Sequence, residues 1–396
     1  MMKIGLLTGG GDVPGLNAAI ASAQAEAGAT HISLLGFIKG WEGVLKNESV
    51  DLTSSPVNPS IGGTILKSSR VNINKIKDGP EIILGRMKEN QLQGLIVIGG
   101  EDTLSNAFFL PGFPQVLMAK TIDNDVGRID SKGSPAEGAR ILNHFTIGFP
   151  TAAEKISSFV SLRNGLRTTA YSHERIIIVE AMGMHTGWLA LAAAMGEPDF
   201  ILIPEFPIDY EYFLDILIKR YKEQEHVIAV ISEGAGWSGG GYVHAEKDEI
   251  EEFEHPRFGG AAEALKTRLK KDLMRYFPAR NVNSINPSYL YRSGAPNALD
   301  RQWASRLGAS AVRVLAEGLR QPVFLSIQKR AGDYEIEKIA LNRFASMADL
   351  HRFVDDRFYN SREFRISELG RNYISSIVPE IPPEEAYLKF LRPKKR

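Results

Sequence analysis

Short apolar runs alternate with amphipathic stretches from the first residues of the chain onward. Four runs have the length and β-branched content of buried strands: "KIGLLT" (3–8), "HISLLGF" (31–37), "GLIVIGG" (94–100) and "QVLMAK" (115–120). Residues 16–28 and 80–91, which lie between these runs, have helical periodicity. Strands that alternate with helices predict a parallel sheet with right-handed crossover connections.

A second series of the same kind follows. Its predicted elements are strands at 175–181, 200–205 and 226–234 and helices around 186–195 and 209–223. Residues 136–170 carry no strand signal and are predicted to be helical. Residues 257–277 predict a further amphipathic helix. The runs at 322–330 and 334–341 predict a late pair of strands.

The two series predict an α/β protein made of two doubly wound, Rossmann-like domains of mostly parallel sheet. At 396 residues the chain also exceeds the usual size of one hydrophobic core. We expect one α/β domain at 1–150, completed by part of 290–345, and a second at 151–289, completed by 346–396. The active site is expected in the cleft between them, because ligands of open α/β sheets bind at the carboxyl ends of strands.

Charge and composition exclude several classes of function. Lys plus Arg number 47, as do Asp plus Glu, so the net charge is zero and lacks the basic excess of a general nucleic-acid or membrane-surface binder. There is no cysteine, which excludes disulfides, thiolate zinc sites and cysteine nucleophiles. No apolar run approaches the roughly 18 residues of a membrane span, and the start does not resemble a signal peptide. We therefore expect a cytoplasmic protein with no nucleic-acid or membrane partner.

Two glycine-containing turns offer chemistry for a phosphate. "GGGDVPGLN" (9–17) follows the first strand and opens a helix, so its backbone amides and the helix dipole suit an anion. A tight strand-to-helix turn is an equally good explanation, and the spacing is not the dinucleotide fingerprint. "IGGTILKSSR" (61–70) misses the Walker A pattern by one glycine. Its Lys67 and Arg70 still give a cationic turn that suits phosphate.

Two acidic turns also follow strands. In "IGGEDT" (98–103), Glu101 and Asp102 have the carboxylates that Mg²⁺ prefers, although Asp and Thr also cap helices. "KTIDND" (120–125) places Lys120 beside Asp123 and Asp125. Phosphoryl transfer needs amides and cations for the phosphates, carboxylates for Mg²⁺, and one carboxylate as a base toward an alcohol. Because the carboxyl ends of parallel strands share one edge, these turns together predict that chemistry.

The sequence resembles the phosphofructokinase family over most of its length. The matching segments, in family order, are "LTGGGDVPGLNAAI", "GFIKGWEGVL", "GGTILKSSR", "IGGEDTLSNA", "KTIDNDV", "SHERIIIVEAMG", "HTGWLAL", "ILIPE", "VISEGA" and "YLYRSGAPNALDR". About the last sixty residues lack such a segment. The resemblance implies Mg²⁺-dependent transfer of a phosphoryl group to the C1 hydroxyl of fructose 6-phosphate by a homodimer or homotetramer. It implies that the domain at 1–150 binds the phosphoryl donor and the domain at 151–289 binds the sugar phosphate.

The resemblance also implies roles for individual residues. Asp123 would be the base for the C1 hydroxyl, and Lys120 would stabilise the transferring phosphoryl group. Residues at the donor phosphates and the metal would be Gly11, Lys67, Arg70, Glu101 and Asp102, with both acidic residues as metal ligands. Sugar-phosphate contacts would be Thr121, Asp125, Arg175, Met182, Gly183, Glu233, Tyr289 and Arg292. Arg175 matches an arginine that reaches a neighbouring subunit, Arg292 matches one on the 6-phosphate, and Tyr289 stands where many members have histidine.

The expected donor is pyrophosphate. ATP-dependent members of the family typically have glycine where this chain has Lys120 and Asp102. Both side chains would intrude where the α-phosphate and the nucleoside of ATP must lie, and the pair resembles the pyrophosphate-dependent branch. The reaction is then expected to be reversible. An ATP-dependent kinase is an alternative to this expectation, ranked below the alternatives named in the next paragraph.

Three positions depart from the family pattern. Met184 replaces an arginine near the phosphates, Glu101 replaces the metal aspartate, and Pro150 replaces an aspartate. Loss of a well-placed donor to the transition state typically costs roughly 3 kcal/mol. These changes leave two further alternatives open: another acceptor such as sedoheptulose 7-phosphate, or a catalytically weak regulatory or sugar-phosphate-binding paralogue.

Overall fold

The structure, a computed structural model, describes residues 2–130, 140–244, 260–277, 281–330 and 332–381.

The strands are β1 (Lys3–Thr8), β2 (Ser33–Phe37), β3 (Ser49–Asp51), β4 (Leu95–Gly99), β5 (Gln115–Thr121), β6 (Ile129–Asp130), β7 (Arg140–Ile141), β8 (Ile147–Gly148), β9 (Ile176–Ala181), β10 (Phe200–Leu202), β11 (Val227–Ser232), β12 (Val282–Ile285), β13 (Val323–Arg330), β14 (Asp333–Ala340), β15 (Tyr359–Asn360) and β16 (Arg365–Ile366). The α-helices are α1 (Leu16–Ala29), α2 (Trp41–Lys46), α3 (Gly79–Glu89), α4 (Glu101–Ser105), α5 (Phe149–Val160), α6 (Arg167–Ser172), α7 (Trp188–Ala192), α8 (Tyr210–Gln224), α9 (Ala261–Leu273), α10 (Ala298–Ala316) and α11 (Glu368–Ser375).

The chain divides into two compact units. The first takes its described residues from Met1–Thr151 and Arg292–Arg352, and the second from Ala152–Tyr291 and Phe353–Arg396. Each unit has its own sheet, with strand order β14-β13-β5-β4-β1-β2-β3 in the first and β10-β11-β9-β12 in the second. All neighbours pair in parallel except β14 on β13 and β3 on β2, at the edges of the first sheet. The predicted α/β class with mostly parallel sheets is confirmed.

The first sheet is covered on both faces, which explains its continuous apolar strands. Every residue of β4 is buried. One face packs against α2 and α3, through Trp41, Ile83 and Met87 among others, and against Met347 and Leu350 of the segment that follows β14. Helices α1 and α10 pack on each other, and α10 contacts β5 and β8. Burial on both sides removes the alternation of apolar and polar positions that a half-exposed strand would show.

The second unit repeats this logic on a smaller sheet. All residues of β9 and β11 are buried, and α8 and α9 pack against them through an apolar cluster that includes Phe213, Leu217 and Leu265. Trp188 contacts the rings of Phe358 and Tyr373, each at a centroid distance of 5.2 Å. None of the helices in the part of the chain that the structure describes is long and apolar enough to span a membrane.

Two sequence predictions need correction. The stretch 136–170 is not wholly helical, because β7 and β8 form within it and α5 begins only at Phe149; residues 131–139 lie outside the described residues. Strand β8 pairs just two residues with β5, too few to leave a periodic signal. The helix predicted at 257–277 begins at Ala261, after Gly260 with a φ of 96°; residues 257–259 also lie outside the described ranges.

Candidate active site

Three polar turns meet at one edge of the first sheet. Strands β1, β4 and β5 are adjacent and parallel. Their carboxyl ends lead into residues 9–12, into Glu101 and Asp102 at the start of α4, and into residues 122–125, with Lys120 and Thr121 as the last residues of β5. The prediction that these turns share one sheet edge is therefore confirmed. Asp102 is not a cap, because the N-cap of α4 is Gly100 and no side chain caps it.

The side chain of Lys120, at the end of β5, packs against the glycine-rich turn that follows β1. This side chain is buried, and Nζ donates a hydrogen bond to the carbonyl oxygen of Gly11. Gly10 has a φ of 78°, and a Cβ added there would lie 3.2 Å from Nζ. A Cβ at Gly11 would overlap Nη1 of Arg292. Glycine at both positions thus lets two cationic side chains reach the backbone of one turn.

Opposing electrostatic effects act on the pKa of Lys120. Burial, followed by the nearby Arg292, lowers the pKa of Lys120 to about 7, while Asp12, Asp125 and Asp123 act in the opposite direction. Two neighbouring cations repel one another in a poorly solvated site, and a multiply charged anion would relieve that repulsion. The turn at 9–12, called the donor turn below, therefore has the charge that suits an anion such as a phosphate.

The segment that contains Lys67 and Arg70 packs on the same turn. The backbone N–H of Gly10 donates to the carbonyl oxygen of Ser69 at 2.9 Å, and the Thr8 hydroxyl donates to the carbonyl oxygen of Lys67 at 3.0 Å. Arg70 is half-buried, but the side chain of Lys67 is exposed. The structure brings the backbone of this segment to the donor turn and leaves the Lys67 amine in solvent.

The turn after β5 carries the two aspartates. The backbone N–H of Asp123 donates to the Thr121 hydroxyl at 3.1 Å, and Asn124 has a left-handed backbone with a φ of 55°. Burial, followed by the neighbouring Asp123, raises the pKa of Asp125 to about 6. Oδ1 of Asp125 is buried and accepts no hydrogen bond within the described residues. The turn therefore holds two carboxylates close enough for Asp123 to raise the pKa of Asp125.

Two residues that the sequence analysis missed support this turn. The guanidinium of Arg352 is buried and donates to the carbonyl oxygens of Asn124, at 2.9 and 2.6 Å, and Asn143, at 2.8 Å. Its backbone N–H donates to the carbonyl oxygen of Asp125 at 2.7 Å. Next to it, Nδ1 of His351 lies 2.9 Å from Oε2 of Glu101. Both residues stand in the last sixty or so, where no family-like segment was visible, and no periodicity marks them.

We expect Arg352→Met to lower the free energy of unfolding by roughly 3 kcal/mol, because several buried carbonyl oxygens lose their donor at about 1 kcal/mol each. Urea unfolding followed by tryptophan fluorescence measures this. Arg343→Met, at an exposed arginine of the same segment, is the matched control and should change stability by less than about 0.5 kcal/mol. Equal losses in the two variants would contradict the supporting role of Arg352.

The side chains at this edge that could bind the predicted Mg²⁺ are those of Glu101 and Asp102. The described residues contain no group of three or more His, Asp or Glu side chains that could enclose a metal ion. Mg²⁺ is usually held by one or two carboxylates together with substrate phosphates and water. Glu101 and Asp102 fit that second arrangement, in which the ion arrives with a phosphate donor.

A second cluster lies in the second unit, at the carboxyl ends of β9 and β11. The backbone N–H of Gly183 donates to Oε1 of Glu233 at 3.0 Å, and the Ser232 hydroxyl donates to the carbonyl oxygen of Gly183 at 2.6 Å. Gly183 has a φ of 126°, and a Cβ there would crowd the carbonyl oxygen of Thr186. The structure thus brings Met182, Gly183 and Glu233 together.

Of the other predicted sugar-phosphate residues, Arg175 lies apart from that cluster within the second unit. Arg175 precedes β9, at the opposite end of the strand from Gly183 and about 20 Å away at the usual rise per residue. Its Nη1 donates to the Thr169 hydroxyl at 2.6 Å. Tyr289 is 68% exposed. Arg292 belongs to the first unit and lies against Gly11, in the donor turn.

Comparison with known proteins decides the family. A family model described as phosphofructokinase matches residues 3–315. The chain belongs to the phosphofructokinase family. His351 and Arg352 lie beyond the matched residues, so the support they give to the acidic turns comes from outside the region that defines the family.

Relatives within the family differ in donor. The pyrophosphate–fructose 6-phosphate 1-phosphotransferase of Dictyoglomus thermophilum is 36% identical over 333 residues, covering 83% of this chain and 90% of the relative. The ATP-dependent 6-phosphofructokinase 3 of Streptomyces coelicolor is 34% identical over 323 residues, covering 80% and 88%. The crystal structure of pyrophosphate-dependent phosphofructokinase from Marinobacter aquaeolei matches with a TM-score of 0.76 at 21% identity, covering 97% and 93%, and supports the fold. The choice of donor must therefore be argued from the site.

Proposed function

We propose that this phosphofructokinase-family protein transfers a phosphoryl group from pyrophosphate to the C1 hydroxyl of fructose 6-phosphate, giving fructose 1,6-bisphosphate reversibly with Mg²⁺. The observation that carries the proposal is the position of Lys120, whose buried Nζ bonds to the carbonyl oxygen of Gly11. Arg292 reaches the same glycine. Two cations on one glycine-rich turn suit the concentrated charge of a small diphosphate.

The choice of donor rests on the same lysine. ATP would need room beyond its β- and γ-phosphates for the α-phosphate and the nucleoside. Lys120 fills part of the space beside Gly10, and Asp102 adds a carboxylate at the neighbouring turn. Pyrophosphate needs neither space. The relative from Dictyoglomus thermophilum bears the name of a pyrophosphate-dependent enzyme, which supports this choice, while the ATP-dependent relatives keep an ATP kinase as the alternative.

The acid–base chemistry is assigned to Asp123. Its carboxylate would take the proton of the C1 hydroxyl as that oxygen attacks the terminal phosphorus of pyrophosphate, and inorganic phosphate would leave. Lys120 and Arg292 would stabilise the charge that spreads over the transferring oxygens. Mg²⁺, when bound through Glu101 and Asp102, would neutralise charge on the donor phosphates.

Met184 is the reason for two alternative functions. The chain has a thioether where the family has an arginine, and Met184 is half-buried with its carbonyl oxygen against Gly234. Another acceptor, such as sedoheptulose 7-phosphate, or a weakly active paralogue would accommodate this change. Arg175 supports a homodimer or homotetramer, because it lies far from Glu233 of its own chain and would serve a second copy.

The deciding experiment is steady-state formation of fructose 1,6-bisphosphate from fructose 6-phosphate and Mg²⁺, with pyrophosphate or ATP as donor. We expect turnover with pyrophosphate and at least about a hundredfold lower kcat/KM with ATP, since a displaced ATP would lose at least one donor to the transferring group, a loss that costs about 3 kcal/mol. Equal use of ATP would overturn the donor assignment. Turnover only with sedoheptulose 7-phosphate would replace the acceptor, and binding of sugar phosphates without turnover would favour the paralogue.

A further inference from the structure

The segment that follows β14 reaches the acidic turns of the first unit. It includes a short 3-10 helix at Met347–Leu350 and ends at His351 and Arg352. The backbone N–H of Gly127 donates to the carbonyl oxygen of Leu350 at 2.7 Å, and Val126 pairs with His351 as an isolated antiparallel bridge. His351 is therefore held by backbone contacts on the turn that carries Asp123 and Asp125.

The side chain of His351 points to the neighbouring acidic turn. Nδ1 lies 2.9 Å from Oε2 of Glu101, and the imidazole is only 13% exposed. Because a carboxylate can only accept, Nδ1 is the donor in this bond. The backbone N–H of Arg352 donates to the carbonyl oxygen of Asp125 at 2.7 Å, which fixes the next residue as well. One imidazole thus ties the turn after β4 to the turn after β5.

A hydrogen-bond partner would limit the orientations that the Glu101 carboxylate can take. By the family resemblance it stands in place of an aspartate, and its extra methylene adds one rotatable bond between the backbone and the carboxylate. Its side chain is 38% exposed, so burial alone does not fix its orientation. A hydrogen bond to a carboxylate from a neighbouring side chain sets which oxygen faces a metal, and such partners commonly change metal affinity ten- to a hundredfold.

We propose that His351 is a positioning residue for Glu101, holding its carboxylate in the orientation that receives the Mg²⁺ of the phosphate donor. The inference rests on the proposed function, since the metal enters with the donor. It assigns a role to a residue beyond position 315, where the match to the family model ends. His351 acts through Glu101 and does not itself touch the substrate.

Three variants test the proposal. His351→Leu removes the donor, His351→Asn keeps an N–H near the position of Nδ1, and His173→Leu alters an exposed histidine of the second unit as the control. Mn²⁺ is titrated into each protein with pyrophosphate, and binding is read from the relaxation enhancement of water protons. We expect His351→Leu to weaken Mn²⁺ binding about tenfold, and His351→Asn and His173→Leu to bind within about twofold of the wild type.

Kinetics provide the second readout. In His351→Leu the apparent KM for Mg²⁺ should rise about tenfold while the KM for fructose 6-phosphate stays unchanged, a split that general destabilisation would not produce. Unchanged Mn²⁺ binding in His351→Leu, or equal weakening in His351→Asn, would overturn the inference. So would a wild type that binds no Mn²⁺ with pyrophosphate.

A double-mutant comparison separates positioning from folding. Aspartate at position 101 is too short to reach Nδ1, so His351→Leu should cause no further loss of Mn²⁺ binding in a Glu101→Asp background. A loss as large as in the wild-type background would show that His351 acts elsewhere. Failure of the proposed function would look different: the wild type would form no fructose 1,6-bisphosphate, while the Mn²⁺ titrations would still decide the role of His351.

Discussion

Replacing Asp123 with asparagine is expected to lower kcat about a thousandfold, within the range that general-base catalysis contributes. The amide cannot take the proton of the C1 hydroxyl, although it preserves the size of the side chain. The turn itself should persist, because the contact that the structure gives Asp123 with Thr121 uses its backbone N–H. The KM for fructose 6-phosphate should therefore change little.

The measurement is steady-state turnover with pyrophosphate, with Asp215→Asn as the control. Asp215 is an exposed aspartate on α8 in the second unit, and its variant should keep full activity. A rate near that of the wild type in Asp123→Asn would refute the base assignment. Asp125, whose pKa burial raises to about 6, would then be the next candidate.

Replacing Lys120 with methionine is expected to lower kcat/KM for pyrophosphate by roughly a hundred- to a thousandfold. The variant removes the buried cation from the donor turn and keeps much of the side-chain volume. Burial lowers the pKa of Lys120 from 10.5 to about 7, so the amine is charged below that pH and neutral above it. The wild-type kcat/KM should fall about tenfold per pH unit above pH 7, and this limb should be absent in Lys120→Met.

The stability of the same variant separates loss of function from loss of fold. A lysine whose pKa is lowered on folding costs stability below pH 7, and the cost disappears as the pH rises toward 10.5. Lys120→Met should therefore unfold at the same or a higher urea concentration than the wild type at pH 6. Lys222→Met, at an exposed lysine of α8, serves as the control for both measurements. An unchanged kcat/KM in Lys120→Met would remove the main support for pyrophosphate.

The central strands could be predicted because their pattern is local. Residues of β4 and β11 are buried along their whole length, so each strand appears in the sequence as an unbroken apolar run. Helix α10 begins at Ala298 and is capped by Asn297, whose side chain accepts a hydrogen bond from the backbone of Asp300 at 2.9 Å, a local cap that the sequence analysis did not use. Strand β12, "VNSI", is buried only at Val282 and has too weak an apolar pattern to predict.

The candidate site likewise has features that the sequence predicts and features that it does not. The sequence alone indicated that Gly11, Lys120, Asp123 and the acidic pair after β4 lie at or just beyond the ends of strands, and parallel pairing then places them at one edge. The folded chain was needed to show that Lys120 bonds to Gly11, that Arg292 reaches the same turn, and that His351 bonds to Glu101 across 250 positions of sequence. Burial and strand periodicity act on near neighbours, whereas these contacts depend on how distant segments pack.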